Sequence, residues 1–128
     1  MYKNSTIVSI LGATAVILGA FGAHALKDKL TPEALDSFET AVRYQMFHVL
    51  FLLAINISSE ISTPYKNKIS WLVILGIVFF SGSIYAIQLL HVPAKLIWFI
   101  TPLGGLLLII GWLVTAFYFS KRGLKGIK

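Results

Sequence analysis

Residues 5–26 read STIVSILGATAVILGAFGAHAL, and how this stretch is read decides the fold. It contains no Asp, Glu, Lys or Arg. As a helix of roughly 22 residues it is long enough to cross the ~30 Å hydrocarbon layer of a bilayer. Gly12, Ala15, Gly19 and Gly22 recur within it at helical spacing and form one narrow stripe. In lipid there is little hydrophobic drive between helices, so small residues that let two backbones approach closely must carry association. A cleaved signal peptide is the competing reading, with Lys3 as its basic start and Ala23-His24-Ala25 as a small-residue cleavage site. The stretch is long and glycine-rich for such a leader, so a retained first span is expected.

The remainder of the chain agrees. Of 128 residues, 57% are hydrophobic and 12% charged, and the mean hydropathy is +0.82. Soluble domains average about 45–50% apolar and about 25% charged residues. A core of this size cannot bury that excess, because a small domain leaves much of its surface in water. Disorder requires the opposite composition. An integral membrane protein is what remains.

Three further apolar stretches follow, at about 38–58, 69–90 and 97–119. Ahead of the second, Thr31-Pro32-Glu33 reads as a helix start, with Thr31 as N-cap, Pro32 at the first helical position and Glu33 in the first turn. An amphipathic helical segment between spans one and two is therefore expected, either joined to span two in one long helix or broken from it near Arg43. A polar loop at 59–68 precedes span three. Span four begins near Ala94 or Pro102, both compatible with helix starts. The expected architecture is all-α: a four-helix transmembrane bundle filling one membrane domain over residues 1–128.

Basic residues set the expected orientation. Lys3, Lys66, Lys68 and the tail residues Lys121, Arg122, Lys125 and Lys128 share one side of a four-span chain. Lys27, Lys29, Arg43 and Lys95 lie on the other. The richer side faces the cytoplasm by the positive-inside rule, which places both termini there. The net charge of +6 thus fits anionic lipid headgroups rather than a nucleic acid. Trp71 and Trp98, each near the start of a span, suit interfacial anchoring. Zero cysteines exclude disulfides, thiolate nucleophiles and thiolate metal sites.

Gly104, Gly105 and Gly111 offer span four the same close approach that Gly12, Ala15, Gly19 and Gly22 offer span one. Packing within one protomer is the first expectation for these positions, ahead of a homo-oligomer or a ligand groove. Ionisable and polar groups at membrane depth are the functional candidates. Glu39 and Arg43 stand four apart and can pair; Gln45 and His48 share one face, with Tyr44 a turn before His48. Glu39, Arg43, Gln45 and His48 together with His24 suggest a polar cluster at one end of the bundle, and Leu52 and Asn56 continue the face of Gln45 and His48 along the helix. Ser81 and Ser83 lie inside span three, where bonding to their own helix backbone is the plain reading. Tyr85 is placed to extend a network towards His24 and His48. Such a cluster locks helices together structurally; a proton or ion relay through His48 and Glu39 is the sharper alternative. His24, His48 and His91 have no same-helix ligand spacing, and neither a metal nor a cofactor is expected. No Gly-x-Ser-x-Gly, His-Glu-x-x-His or Walker loop occurs, and no catalytic residues are assigned.

Four strings occur in order: Gly19-Ala20-Phe21-Gly22-Ala23-His24, Tyr44-Gln45 with His48, Phe80-Ser81-Gly82-Ser83-Ile84-Tyr85, and Thr101-Pro102-Leu103-Gly104-Gly105 followed by Gly111-Trp112. In that order the chain resembles domain-of-unknown-function family 423 (DUF423), the YgdD/YwdK-like small inner-membrane proteins with a eukaryotic transmembrane relative. The resemblance implies a four-span protein of the bacterial cytoplasmic membrane without established enzymatic activity. It singles out His24, Tyr44, Gln45, His48, Ser81, Ser83, Tyr85, Thr101 and Pro102, and leaves Glu39 and Arg43 outside its strings. The expected role is non-enzymatic: a contribution to membrane or envelope integrity, or service as an accessory subunit. Membrane lipids are the expected partners, with a homo-oligomer or another membrane protein beside them. A small transporter or channel with a polar path past His48 is the alternative, and an intramembrane enzyme or haem carrier comes third.

Overall fold

The computed structural model describes residues 2–126, which form helices joined by short turns and, among the described residues, no strand. Helix α1 spans Lys3–Phe21 and widens into a π-helical turn over Gly22–Leu26. Helices α2 (Pro32–Ile57) and α3 (Thr63–Leu89) follow, then a single turn, α4 (Ala94–Ile97), and α5 (Ile100–Gly126). Four of them are long and apolar enough to cross a membrane, at 24, 26, 27 and 25 residues. At 1.5 Å rise each reaches about 36 Å or more.

Helix α2 begins as its sequence dictates. Thr31 adopts an extended backbone and its hydroxyl accepts the Ala34 amide at 3.2 Å, while Pro32 occupies a position that needs no N–H. The polar opening turns run on without a break past Arg43 into the span, so the amphipathic segment is the start of α2 and not a separate surface helix. The loop expected at 59–68 is shorter than its composition suggests. Helix α3 starts at Thr63, with Pro64 in the first turn, where its missing N–H costs nothing. The fourth span starts at Ile100 and not at 97. Pro102 cannot donate to the carbonyl of Trp98, so it is held in the first turn of α5, and Ala94–Ile97 becomes a separate turn. Between α3 and α4, His91 has a φ of 54°, a left-handed conformation that a histidine accepts more readily than a branched residue. This reversal lets the Val92 amide donate to the Ala86 carbonyl at 3.2 Å and closes the end of α3.

Helices α2 and α3 form the middle pair; α1 packs on α2, and α5 packs on α3. Both outer contacts rest on glycines. The stripe on α1 faces α2: a side chain on Gly12 would meet Val49, on Gly19 Val42, and on Gly22 the Phe38 ring at 2.7 Å. Ala15 is buried beside them. On α5, a side chain on Gly104 would run into the α3 backbone at Phe80, and one on Gly111 into Val73. Gly105 is looser, 3.7 Å from the Phe80 ring. Gly76 returns the contact from α3, its missing Cβ leaving room for Leu108. These stripes are filled from within the protomer.

Candidate functional site

Polar groups lie within the apolar core, and the exterior is apolar as well. Asn4, Gln45, His48, Ser70, Ser81, Ser83 and Thr115 are buried, whereas Ile10, Val16, Ile17, Leu50 and Leu113 are each more than half exposed. In water this surface would aggregate. In hydrocarbon it is required, because backbone and side-chain polar groups must find partners inside the protein. They do: among the described residues no buried side-chain N or O lacks a hydrogen-bond partner.

Gln45 is the hub. It is 3% exposed, and its Nε2 donates to the Leu11 carbonyl at 2.8 Å and to Thr14 Oγ1 at 2.9 Å on α1. Its Oε1 accepts the Tyr85 hydroxyl of α3 at 2.7 Å. One amide thus ties three helices. Tyr85 itself rests on the Phe38 ring, 5.4 Å between centroids. Nearby, Ser81 donates across to the Ala41 carbonyl of α2 at 2.7 Å. This corrects the local reading of Ser81, whose hydroxyl serves the neighbouring helix and not its own. Ser83 does both, bonding the Phe80 carbonyl of its own helix at 3.0 Å and Thr101 of α5 at 2.6 Å.

His48 forms a second centre. Its Nδ1 lies 2.7 Å from the Tyr44 carbonyl, which only accepts, so Nδ1 carries the hydrogen. Its Nε2 then accepts the indole N–H of Trp112 on α5 at 3.1 Å. Both contacts are satisfied together only by a neutral imidazole in this tautomer; an added proton on Nε2 would face the indole N–H. Trp112 stacks on Phe51, 4.0 Å between centroids. The groove here, about 320 Å³, is otherwise walled by Tyr44, Phe80, Leu108 and Ile109.

The expected cluster at the outer end does not assemble. His24, Glu39 and Arg43 are all exposed, and Glu39 forms no ion pair with Arg43. Four-residue spacing makes two side chains neighbours on a helix without saying whether that face turns inward. These charged groups face away from the interior of the bundle. The π-helical turn adds an extra residue before Leu26, breaking the 3.6-residue register by which His24 would be placed. Tyr44 is exposed too and joins the network through its carbonyl. Tyr85 reaches Gln45 and neither histidine.

Two groups went largely unread in the sequence, which placed only Asn56, on the face of Gln45 and His48. At the end of the bundle holding the start of α1, Asn4 donates to Asn67 at 2.8 Å and to Asn56 at 3.4 Å. Asn56 donates to Ser70 at 2.8 Å, and Lys66 caps the Asn56 carbonyl at 2.9 Å. At the same end Arg122 pairs with the Glu60 carboxylate at 3.1 Å and also donates to its carbonyl. The Tyr118 hydroxyl donates to that carbonyl at 2.9 Å and accepts the Ser62 amide at 3.0 Å. These contacts fasten α5 to the α2–α3 turn. Asparagines near span ends were the available signal, but their convergence joins three helices. Among the described residues no three His, Asp or Glu side chains converge to hold a metal ion.

Four long apolar helices with polar groups turned inward and an apolar exterior define a polytopic membrane protein. The sequence profile described as "Protein of unknown function (DUF423)" matches residues 18–105. The chain is 49% identical over 109 residues to a UPF0382 membrane protein of Staphylococcus saprophyticus, covering 82% of this chain and 89% of the relative. It is 45% identical over 109 residues to one from a bovine strain of Staphylococcus aureus, covering 82% and 88%. A UPF0382 membrane protein of Haemophilus influenzae is 40% identical over 117 residues, covering 90% and 91%. This chain belongs to the DUF423 family of membrane proteins. No solved structure matches it.

Proposed function

We propose that the protein is a non-enzymatic resident of the bacterial cytoplasmic membrane that acts through its lipid-facing exterior, contributing to membrane integrity. The observation carrying this reading is the closed state of the internal polar network. Gln45 and Ser81 spend the hydrogen bonds they form on other helices of the same chain, and His48 divides its two between its own helix and α5, so all three are committed within the protein. A relay past His48 needs an open donor or acceptor, and both ring nitrogens are engaged. The relatives' printed name, membrane protein, supports the setting and assigns no chemistry.

Deleting the gene is expected to raise leakage of a membrane-impermeant dye under osmotic shock, with restoration by the unmodified chain. Unchanged leakage in the deletion strain, together with a proton or ion flux in proteoliposomes holding the purified protein, would replace this reading with transport.

Orientation is testable separately because the chain has no cysteine. The excess of Lys and Arg near the start of α1, the α2–α3 turn and the end of α5 supports cytoplasmic termini. In intact cells, Ser120→Cys should stay unlabelled by an impermeant maleimide while Lys27→Cys is labelled. The opposite pattern would invert the topology.

A further inference from the structure

At the end of the bundle opposite both termini, a cavity of about 390 Å³ opens between the start of α2, the end of α3 and the α4–α5 junction. Its volume falls within the ~300–1,000 Å³ of small-molecule sites. Asp36, Ser37 and Thr40 from α2 and Gln88 from α3 supply its polar lining; Ile84 and Ile87, one turn apart on α3, supply the apolar wall. Apart from Asp36, these side chains are half-buried. The contrast with the deeper network is sharp. There every buried polar side chain is paired, whereas among the described residues the Asp36 carboxylate has no ion-pair partner and Ser37, Thr40 and Gln88 make no side-chain hydrogen bond. Thr101, on the cavity's inner side, is already held by Ser83 at 2.6 Å.

The cavity therefore combines one unpaired negative charge, three uncommitted hydroxyl or amide groups and an apolar wall running into the membrane. It lies in the first turns of one span and the last turn of another, at headgroup depth. We propose that it binds the headgroup of an amine-bearing phospholipid, such as phosphatidylethanolamine. Asp36 takes the ammonium group; the Ser37 and Thr40 hydroxyls and the Gln88 amide donate to phosphodiester oxygens; the acyl chain lies along Ile84 and Ile87. A carboxylate disfavours a lipid whose headgroup carries only negative charge, so selectivity against phosphatidylglycerol follows from the same geometry. This names the lipid for the membrane role proposed above and rests on that reading for its bilayer setting. The two fail separately, since dye leakage tests the role and lipid retention tests the site.

The test is native mass spectrometry of the full chain released from vesicles of equal parts phosphatidylethanolamine and phosphatidylglycerol. The expected result is one retained phosphatidylethanolamine per protomer, favoured over phosphatidylglycerol by about fivefold. Asp36→Asn should remove that preference, and Gln88→Ala should weaken total retention, with the melting temperature in detergent unchanged for both. Equal retention of the two lipids by the unmodified chain would overturn the proposal, as would undiminished preference in Asp36→Asn. Displacement of the lipid by an equimolar amount of soluble glycerophosphoethanolamine would assign the headgroup chemistry to a free ligand and overturn the lipid assignment.

Discussion

Replacing Gln45 with leucine is expected to lower the unfolding free energy of the bundle by about 2–4 kcal/mol, although leucine fits the volume and suits the membrane better than an amide. The change removes three bonds at once, to the Leu11 carbonyl, Thr14 and Tyr85. An interhelical hydrogen bond in a membrane is worth about 0.6 kcal/mol on average and up to about 1.7. The larger part of the loss comes from what remains behind. The Tyr85 hydroxyl, pressed against Phe38, would be left in apolar surroundings without an acceptor, and an unmet buried polar group costs about 1–3 kcal/mol. Tyr85→Phe is the diagnostic partner. Alone it should cost about 1 kcal/mol, and in combination with Gln45→Leu it should recover about 1 kcal/mol relative to the summed single effects, because both ends of the bond are then gone. Reversible unfolding in mixed micelles reads all four species. A Gln45→Leu effect under 0.5 kcal/mol would mean that Gln45 is not the tie between α1, α2 and α3.

The same residue shows how far the sequence could be read. That Gln45 and His48 share a face of α2 follows from their spacing alone, and so does the expectation that such groups in a span find internal partners. Which partners they find does not follow. Nothing in the local sequence of Trp112 announces it, yet its indole completes the hydrogen bonding of His48 from 64 positions away. Spans one, three and four were legible because each is a long run without charge, span two because a clear helix start leads into an apolar run, and the glycine stripe of α1 because its spacing is that of one helix. Helix ends were less legible: Pro64 sits in a stretch whose composition reads as loop, yet the chain uses it inside the first turn of α3, while Pro102 takes the first-turn place its sequence allowed. Glu39 and Arg43 misled because local spacing governs adjacency on one helix, whereas burial is set by the rotation of that helix against its neighbours. The place of Asn56 on the face of Gln45 and His48 was legible, but its meeting with Asn4 and Asn67 was not, since that group exists only where three helix ends meet.

An effect of the same size is expected from a far smaller change, Gly104→Ala. The new methyl would fall onto the α3 backbone, with the Phe79 carbonyl carbon at 2.7 Å and the Phe80 Cα at 2.8 Å. A side chain in the way can rotate; a helix backbone cannot. The two helices must separate or slide, and α3–α5 is a main contact of the bundle. Separation would pull Thr101 from Ser83, at 2.6 Å, and loosen the seats of Leu108 on Gly76 and Val73 on Gly111. Overpacking a tight contact costs about 1–3 kcal/mol and sometimes more, and rigid neighbours on this interface put the expected loss near 3 kcal/mol. The adjacent residue is the control. At Gly105 a Cβ would stand 3.7 Å from the Phe80 ring, an ordinary contact. Gly105→Ala should therefore be neutral, or stabilising by up to about 1 kcal/mol through the better helix propensity of alanine. Gly22→Ala should fall between them, because its neighbour is the Phe38 ring and not a backbone. The three variants add the same methyl group to a glycine of a membrane helix, so composition and hydropathy predict one common effect. Only the α3–α5 packing predicts that neighbouring positions 104 and 105 differ by several kcal/mol, and equal melting temperatures for those two variants would refute that packing.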